Sequence, residues 1–449
     1  MRRIAKLLPV VFLATMMAHA PAGADDIPNY RSSANLELVA QIPGVGGSDL
    51  EFFSRDLNVW KDWYGNTHFV PEGQPPVTRH FAMVGNRSAP TANGAGPVTG
   101  GAKIVDITNP EIPFIAGAVK DCWADQGDIQ IAPGGMLAGI AKQGGTCRFP
   151  DGTNVPNGSI LVDISNVYDP TIISVAAAPR GAHNNTFTPD GKYVYISESG
   201  DSPGQVPIFD ISNPHDPIKI MDYKFDGQTG NSPHDIRFSD DGTRAYMAGI
   251  AQYRIVNTTD YENPTMISQF VPPGTQIGHD ALVTPDKSFL FLGEERAGGG
   301  TTPCPGAGVY VYDIRGTKEA APELIGYSLI GTGPVTGRRV DELYVGSQGG
   351  CTSHVMDMNP DKKSFTIGWY VSGLATFSFA SLYNDDGTPK ASPKGAYLGP
   401  RGAGEGLIET GWMIPNGANT WAAKQYSGVP GYIFADDIAL GFYVVKIKS

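Results

Sequence analysis

Four of the eight histidines in this 449-residue chain stand at one point of a repeating pattern. They are His183, His234, His279 and His354, and each lies six residues before a Pro or Asp that opens a turn: Pro189, Asp240, Pro285 and Pro360. The stretches read GAHNNTFTPDGKYVYIS, SPHDIRFSDDGTRAYMA, GHDALVTPDKSFLFLG and SHVMDMNPDKKSFTIGW. Imidazoles brought together from four repeats can hold Zn, Cu, Fe or Ni, and a nearby carboxylate can ligate the ion or orient a ligand. The same register in the other repeats reads Ser48, Gly127 and Glu409. A second register, fifteen residues on, holds Lys142, Glu198, Glu294 and Lys424, which could supply acid–base groups or hold imidazole N–H groups. The competing reading is duplication of a useful turn histidine with no metal. Against it, the repeats carrying Ser48, Gly127 and Glu409 keep the turn without the histidine.

The scaffold that must position these residues is written in a second motif. A strand ending in Asp, a short polar turn, a Pro and a returning strand recur as AKIVDITNPEIPFIAGAV, SILVDISNVYDPTIISVA, VPIFDISNPHDPIKIMDY, YRIVNTTDYENPTMISQF and VYVYDIRGTKEAAPELIGYSL. The turn-starting residues Asp106, Asp163, Asp210, Asn257 and Asp313 are 57, 47, 47 and 56 residues apart. An Asp or Asn there closes the turn by accepting from the backbone two residues on, and the Pro opens the returning strand where no ladder donor is lost. With the histidine-bearing hairpin between successive copies, each unit holds four short strands in about 50 residues, the pattern of a β-propeller blade. Counting by register gives seven blades. The last strand, GFYVVKIKS, lacks a fourth partner, and ANLELVAQIPG (34–44) is placed to supply it and close the ring. The expected fold is therefore all-β, a seven-bladed propeller over residues 25–449. A β-sandwich would not explain the fixed period.

The strands KIVDI, ILVDI, PIFDI and VYVYDI make the chain resemble the LVIVD-repeat propeller family over nearly its whole mature length. In layout it is also similar to metal-binding seven-bladed propellers, the carotenoid oxygenases and the selenium-binding-protein/methanethiol-oxidase group. That resemblance implies a propeller and points to iron or copper first and zinc next, one ion per site.

The remaining features bound the setting. MRRIAKLLPVVFLATMMAHAPAGADD has the basic start, apolar run and small-residue end of a secretory signal peptide, with cleavage expected after Ala24. A periplasmic or secreted protein follows, and no later run is long enough to insert in a membrane. Four cysteines in an exported chain favour two disulfides, read here as Cys122–Cys147 and Cys304–Cys351 from three pairings open to them. The net charge of −12 argues against nucleic acid as a partner and leaves a small-molecule substrate open. Trp60, Trp63 and Tyr64 either cap a ligand pocket or pack among themselves. Large insertions near 55–78, 87–100, 142–158, 296–307 and 380–395 are expected mostly on the histidine face. Two functions stay in view: a metal-dependent oxidoreductase, hydrolase or lyase, and a non-catalytic cell-envelope propeller that binds a protein or glycan.

Overall fold

The structure, a computed structural model, describes residues 28–85, 101–124, 126–198, 204–224, 233–250, 252–296, 302, 306–329, 350–391 and 407–448. Seven antiparallel blades of four strands, one of them extended by a fifth, stand around a common axis. Their innermost strands are Leu50–Leu57, Ile129–Ile131, Asn184–Phe187, Pro233–Phe238, Ile277–Val283, Met356–Met358 and Thr420–Gln425. Each touches the next, and the last returns to the first. Only short 3-10 turns interrupt the β-structure among the described residues.

The repeats fold as their chemistry dictates. In five blades the Asp or Asn that ends the third strand accepts a bond from the backbone two residues on: Thr108, Ser165, Ser212, Thr259 and Arg315 donate at 2.7–3.1 Å. The third strands Gly158–Asp163 and Val309–Asp313 are apolar and buried because both faces of a blade pack on neighbouring blades. The outermost strand Thr171–Ala177 reaches solvent and alternates. Core contacts run from blade to blade, as in the cluster of Phe289, Phe291, Val311, Phe365, Ile367 and Trp369 across blades five and six.

The ring closes where expected. Leu36–Ile42 pairs antiparallel with Gly441–Ile447 and completes the seventh blade. Just before it, Tyr30–Ser32 adds a fifth strand to blade six, against Ile408–Pro415. This pairing corrects one boundary of the sequence reading. Ile408–Pro415 is the fourth strand of blade six, not the first of blade seven, so Glu409 lies away from the axis, opposite Phe377. Blade seven begins at Thr420, and Lys424 is on its inner strand rather than at the end of its second. ETGWMIPNG imitates the register because its Pro falls at the same spacing.

Two insertions also change faces. Residues 58–76 join the first and second strands of blade one, and 379–391 follow the third strand of blade six, the rest of that insertion lying outside the described residues. In a meander these connections lie at the end opposite the histidines. There Trp60 stacks on His68 at 4.1 Å and carries the Arg79 guanidinium at 4.4 Å, a loop packed by its own aromatics. Cys122 and Cys147 form the expected disulfide across a two-strand ribbon. Cys351 is disulfide-bonded, and Cys304 lies outside the described residues, as does the segment 1–24.

Candidate metal centre

The four histidines come together at one end of the channel. Successive rings are 4.2, 4.2 and 3.8 Å apart from His183 through His234 and His279 to His354. The backbone holds them in two ways. His183 and His354 continue a regular ladder, their N–H groups donating to the carbonyls of Ser197 and Gly368. His234 and His279 are the extra residues of β-bulges: pairing skips from Pro233 to Asp235 and from Gly278 to Asp280. A bulge turns one side chain out of the pleat's alternation, here toward the axis. Blade two has Gly127 at this point with φ +64, a conformation costly for a side-chain-bearing residue.

Hydrogen bonding divides the imidazoles the same way. His183 Nδ1 donates to Gln143 Oε1 and His354 Nδ1 to the Trp421 carbonyl, both at 2.9 Å. Each neutral ring then offers Nε2 as an acceptor. His183 Nε2 meets His234 Nε2 at 2.9 Å, so without a cation His234 must place its one proton there. That leaves His234 Nδ1 buried with no hydrogen-bond partner. His279 is 1 % exposed, and neither nitrogen has a hydrogen-bond partner among the described residues. A buried polar group left so costs ~1–3 kcal/mol. Burial first, then the neighbouring imidazoles, pushes both His234 and His279 well below the ordinary histidine range, so these rings are neutral and ready to donate lone pairs.

Glu295 completes the group. It ends the second strand of blade five, opposite Ile277, and is buried. Its Oε2 is 4.0 Å from His234 Nε2 and its Oε1 3.9 Å from His354 Nε2. The carboxylate thus stands within 4.0 Å of imidazole nitrogens from two other blades. His234, His279 and Glu295 each offer a ligand atom within 4.8 Å of the others. Two imidazoles and a carboxylate are a donor set used for non-haem Fe(II) and for catalytic Zn. The nitrogens of His279, without a hydrogen-bond partner among the described residues, fit such an ion.

The fifteen-residue register predicts the neighbouring Glu294 here, and strand alternation puts that side chain on the other face. Glu294 accepts from the Gln276 N–H at 3.0 Å and pairs with Arg296 at 3.2 Å. Lys142 donates to Asn157 Oδ1 at 2.7 Å, and burial lowers its ammonium. Burial raises the Glu198 carboxyl, opposed by Gln205 and Arg180. Neither Lys142 nor Glu198 belongs to the His234–His279–Glu295 group.

One step along the inner strands lies a layer of acids. Asp49, Asp235 and Asp280 each accept from the next backbone N–H at 2.7 Å. Arg237 grips Asp280 with Nε and Nη2 at 2.7 and 3.0 Å, and Lys424 bridges Asp49 and Glu51 at 2.9 and 2.7 Å. Beyond it a cavity of about 510 Å³, lined by Glu51, Asp235, Arg237, Asp357 and the turn residues Pro189 and Pro285, occupies the opposite end of the channel.

No protein-family model and no curated protein matches this chain. Solved structures do resemble it. Hydrazine synthase of Kuenenia stuttgartiensis aligns over 82 % of this chain and 92 % of its own at 12 % identity, with a TM-score of 0.53. A periplasmic gluconolactonase of Pseudomonas aeruginosa aligns over 73 % and 85 % at 14 % identity, TM-score 0.47. The Cps50 (Swd1) β-propeller domain of Myceliophteria thermophila aligns over 82 % and 94 % at 10 % identity, TM-score 0.48. At this identity the likeness is one of fold. The LVIVD resemblance rests on the repeat strands alone.

Proposed function

We propose that this protein is an exported propeller enzyme that holds one transition metal through His234, His279 and Glu295 and acts on a small molecule. The observation that carries the reading is His279: an imidazole buried without a hydrogen-bond partner, in reach of a second imidazole and a carboxylate. His183 and His354 flank the group with their Nδ1 atoms tied down, which fixes their tautomers and turns Nε2 inward. The donor set favours iron, with copper and zinc as the other candidates. Such an ion would supply a Lewis acid and, as iron or copper, a one-electron centre. The chain's own part is to hold neutral imidazoles in a dry pocket and to admit a substrate from the side of His183, the most exposed of the four. An oxidation is the reaction class preferred, with metal-assisted hydrolysis second.

Metal analysis of protein purified without chelators tests the reading, beside the double variant His234→Ala/His279→Ala. About one equivalent in the wild type and little in the variant is expected. Sub-stoichiometric metal in both, after reconstitution with Fe(II), Cu(II) or Zn(II), leaves only a binding propeller. N-terminal sequencing of the periplasmic fraction tests export, with Asp25 as the expected first residue.

A further inference from the structure

We propose that Tyr370 is a positioning residue of this centre, holding Glu295 with Oε1 on the His354 side and Oε2 toward His234; the inference rests on the metal reading above. The Tyr370 hydroxyl donates to Glu295 Oε1 at 2.5 Å. That bond engages the oxygen on the His354 side and leaves Oε2 as the one turned toward His234. The Tyr370 ring stands edge-on to His354 at 4.8 Å. Its place is over-determined. Tyr370 N–H donates to the Thr420 carbonyl and Thr420 N–H returns the bond, both at 2.9 Å. The residue is buried and has φ +40, in the left-handed region that a bulky side chain rarely enters. Strained residues persist where surrounding structure fixes them, and they cluster at sites. Blade six thus supplies the hydroxyl, and blade seven clamps its backbone, for a carboxylate that belongs to blade five.

The test is Tyr370→Phe, which keeps the ring packed on His354 and removes the hydroxyl. Co(II) serves as the probe, because its visible absorption reports the number and geometry of its ligands. Tyr383→Phe is the control, since Tyr383 also donates to a carboxylate, Asp286 at 2.9 Å, in a turn at the opposite end of the blades. Loss of an oriented ligand partner weakens metal affinity by roughly 10–100-fold. That loss and an altered Co(II) spectrum are expected for Tyr370→Phe, with the control unchanged. Affinity within about twofold of wild type and a superposable spectrum would overturn the assignment. The wild type gives a second measurement independent of any variant's folding. Adding Co(II) should produce a near-ultraviolet tyrosine difference band, and bound Co(II) without that band also overturns the proposal. If wild-type protein takes up no Co(II) at all, the metal reading itself fails and the inference falls with it, so the wild-type sample alone separates the two failures.

Discussion

Blades four and five repeat the pair His-Asp at the head of the inner strand, and the two residues of each pair are completed in opposite ways. Asp235 and Asp280 bond the next backbone N–H, and Arg237 neutralises Asp280. Across the channel Lys424 does the same for Asp49 and Glu51. The acid layer is supplied with donors and cations by the protein. Two imidazoles one residue away are not: among the described residues His279 has no hydrogen-bond partner on either nitrogen and His234 none on Nδ1. The two layers vary independently: blades one and two keep Asp49 and Asp128 where Ser48 and Gly127 replace the histidine, and blades three and six keep the histidine before Asn184 and Val355. The acids are framework. The histidines are the layer that an ion would complete.

Removing a partner should therefore hurt in one layer and not in the other. The largest effect is expected for Lys424→Met, which strands Asp49 and Glu51 without their cation. A loss of ~3–5 kcal/mol in chemical denaturation is expected, and a loss below about 1 kcal/mol would show that the acid layer is not framework. Next comes the metal itself: at a free concentration a hundred times its Kd the wild type should gain about 2.7 kcal/mol, and His279→Leu should gain none. In chelated protein His279→Leu should change stability by no more than ~1 kcal/mol in either direction, because an unsatisfied imidazole is exchanged for an apolar side chain. A cost near that of Lys424→Met would erase the contrast.

The smallest effect is in pH, where the layers should pull against each other. His234 and His279 are held well below the ordinary histidine range, so as pH falls below about 6.5 the unfolded chain takes up protons that the folded one refuses. Their contribution to stability is then lost. Burial raises Glu51 from 4.5 to about 7 against the pull of Lys424, so the folded chain keeps a proton there that the unfolded chain releases; this contribution grows as pH falls from about 7 toward 4.5. In metal-free protein Glu51→Gln should steepen the acid-side loss of stability, and His234→Leu/His279→Leu should flatten it. Urea titrations across pH 5–7 would show the reverse if the assignments are exchanged.

The fold was legible because its signals are local. An Asp that caps its own turn and a Pro that opens the next strand act within a few residues, and they recur at each blade. The histidine register was legible for the same reason. Glu295 was not. Whether it or Glu294 faces the axis depends on bulges that shift pairing by one residue in the partner strand, and a one-residue slip exchanges the faces. Glu409 was misplaced because blade six gains Tyr30–Ser32 from far away in the sequence, and its fourth strand carries a Pro at the spacing that elsewhere marks an innermost one. Tyr370 carried no signal, since its role depends on a left-handed backbone held by Thr420 from another blade.

The strand Leu36–Ile42 has a further consequence for how this molecule is made. Its partner, Gly441–Ile447, is synthesised after every other described strand, so the seam cannot form until that strand has emerged. Until then blade seven lacks its outer strand, and the edge of Gly441–Ile447 has no ladder partner. The same stretch seals the finished ring: Asp436 accepts from the N–H groups of Gly47 and Ser48, and Gln41 reaches the Leu440 carbonyl at 2.6 Å. Blade seven is thus where assembly ends and where a ring under stress would first part. His354 accordingly depends on the seam for its tautomer, because the carbonyl that fixes it belongs to Trp421 of the blade that closes last.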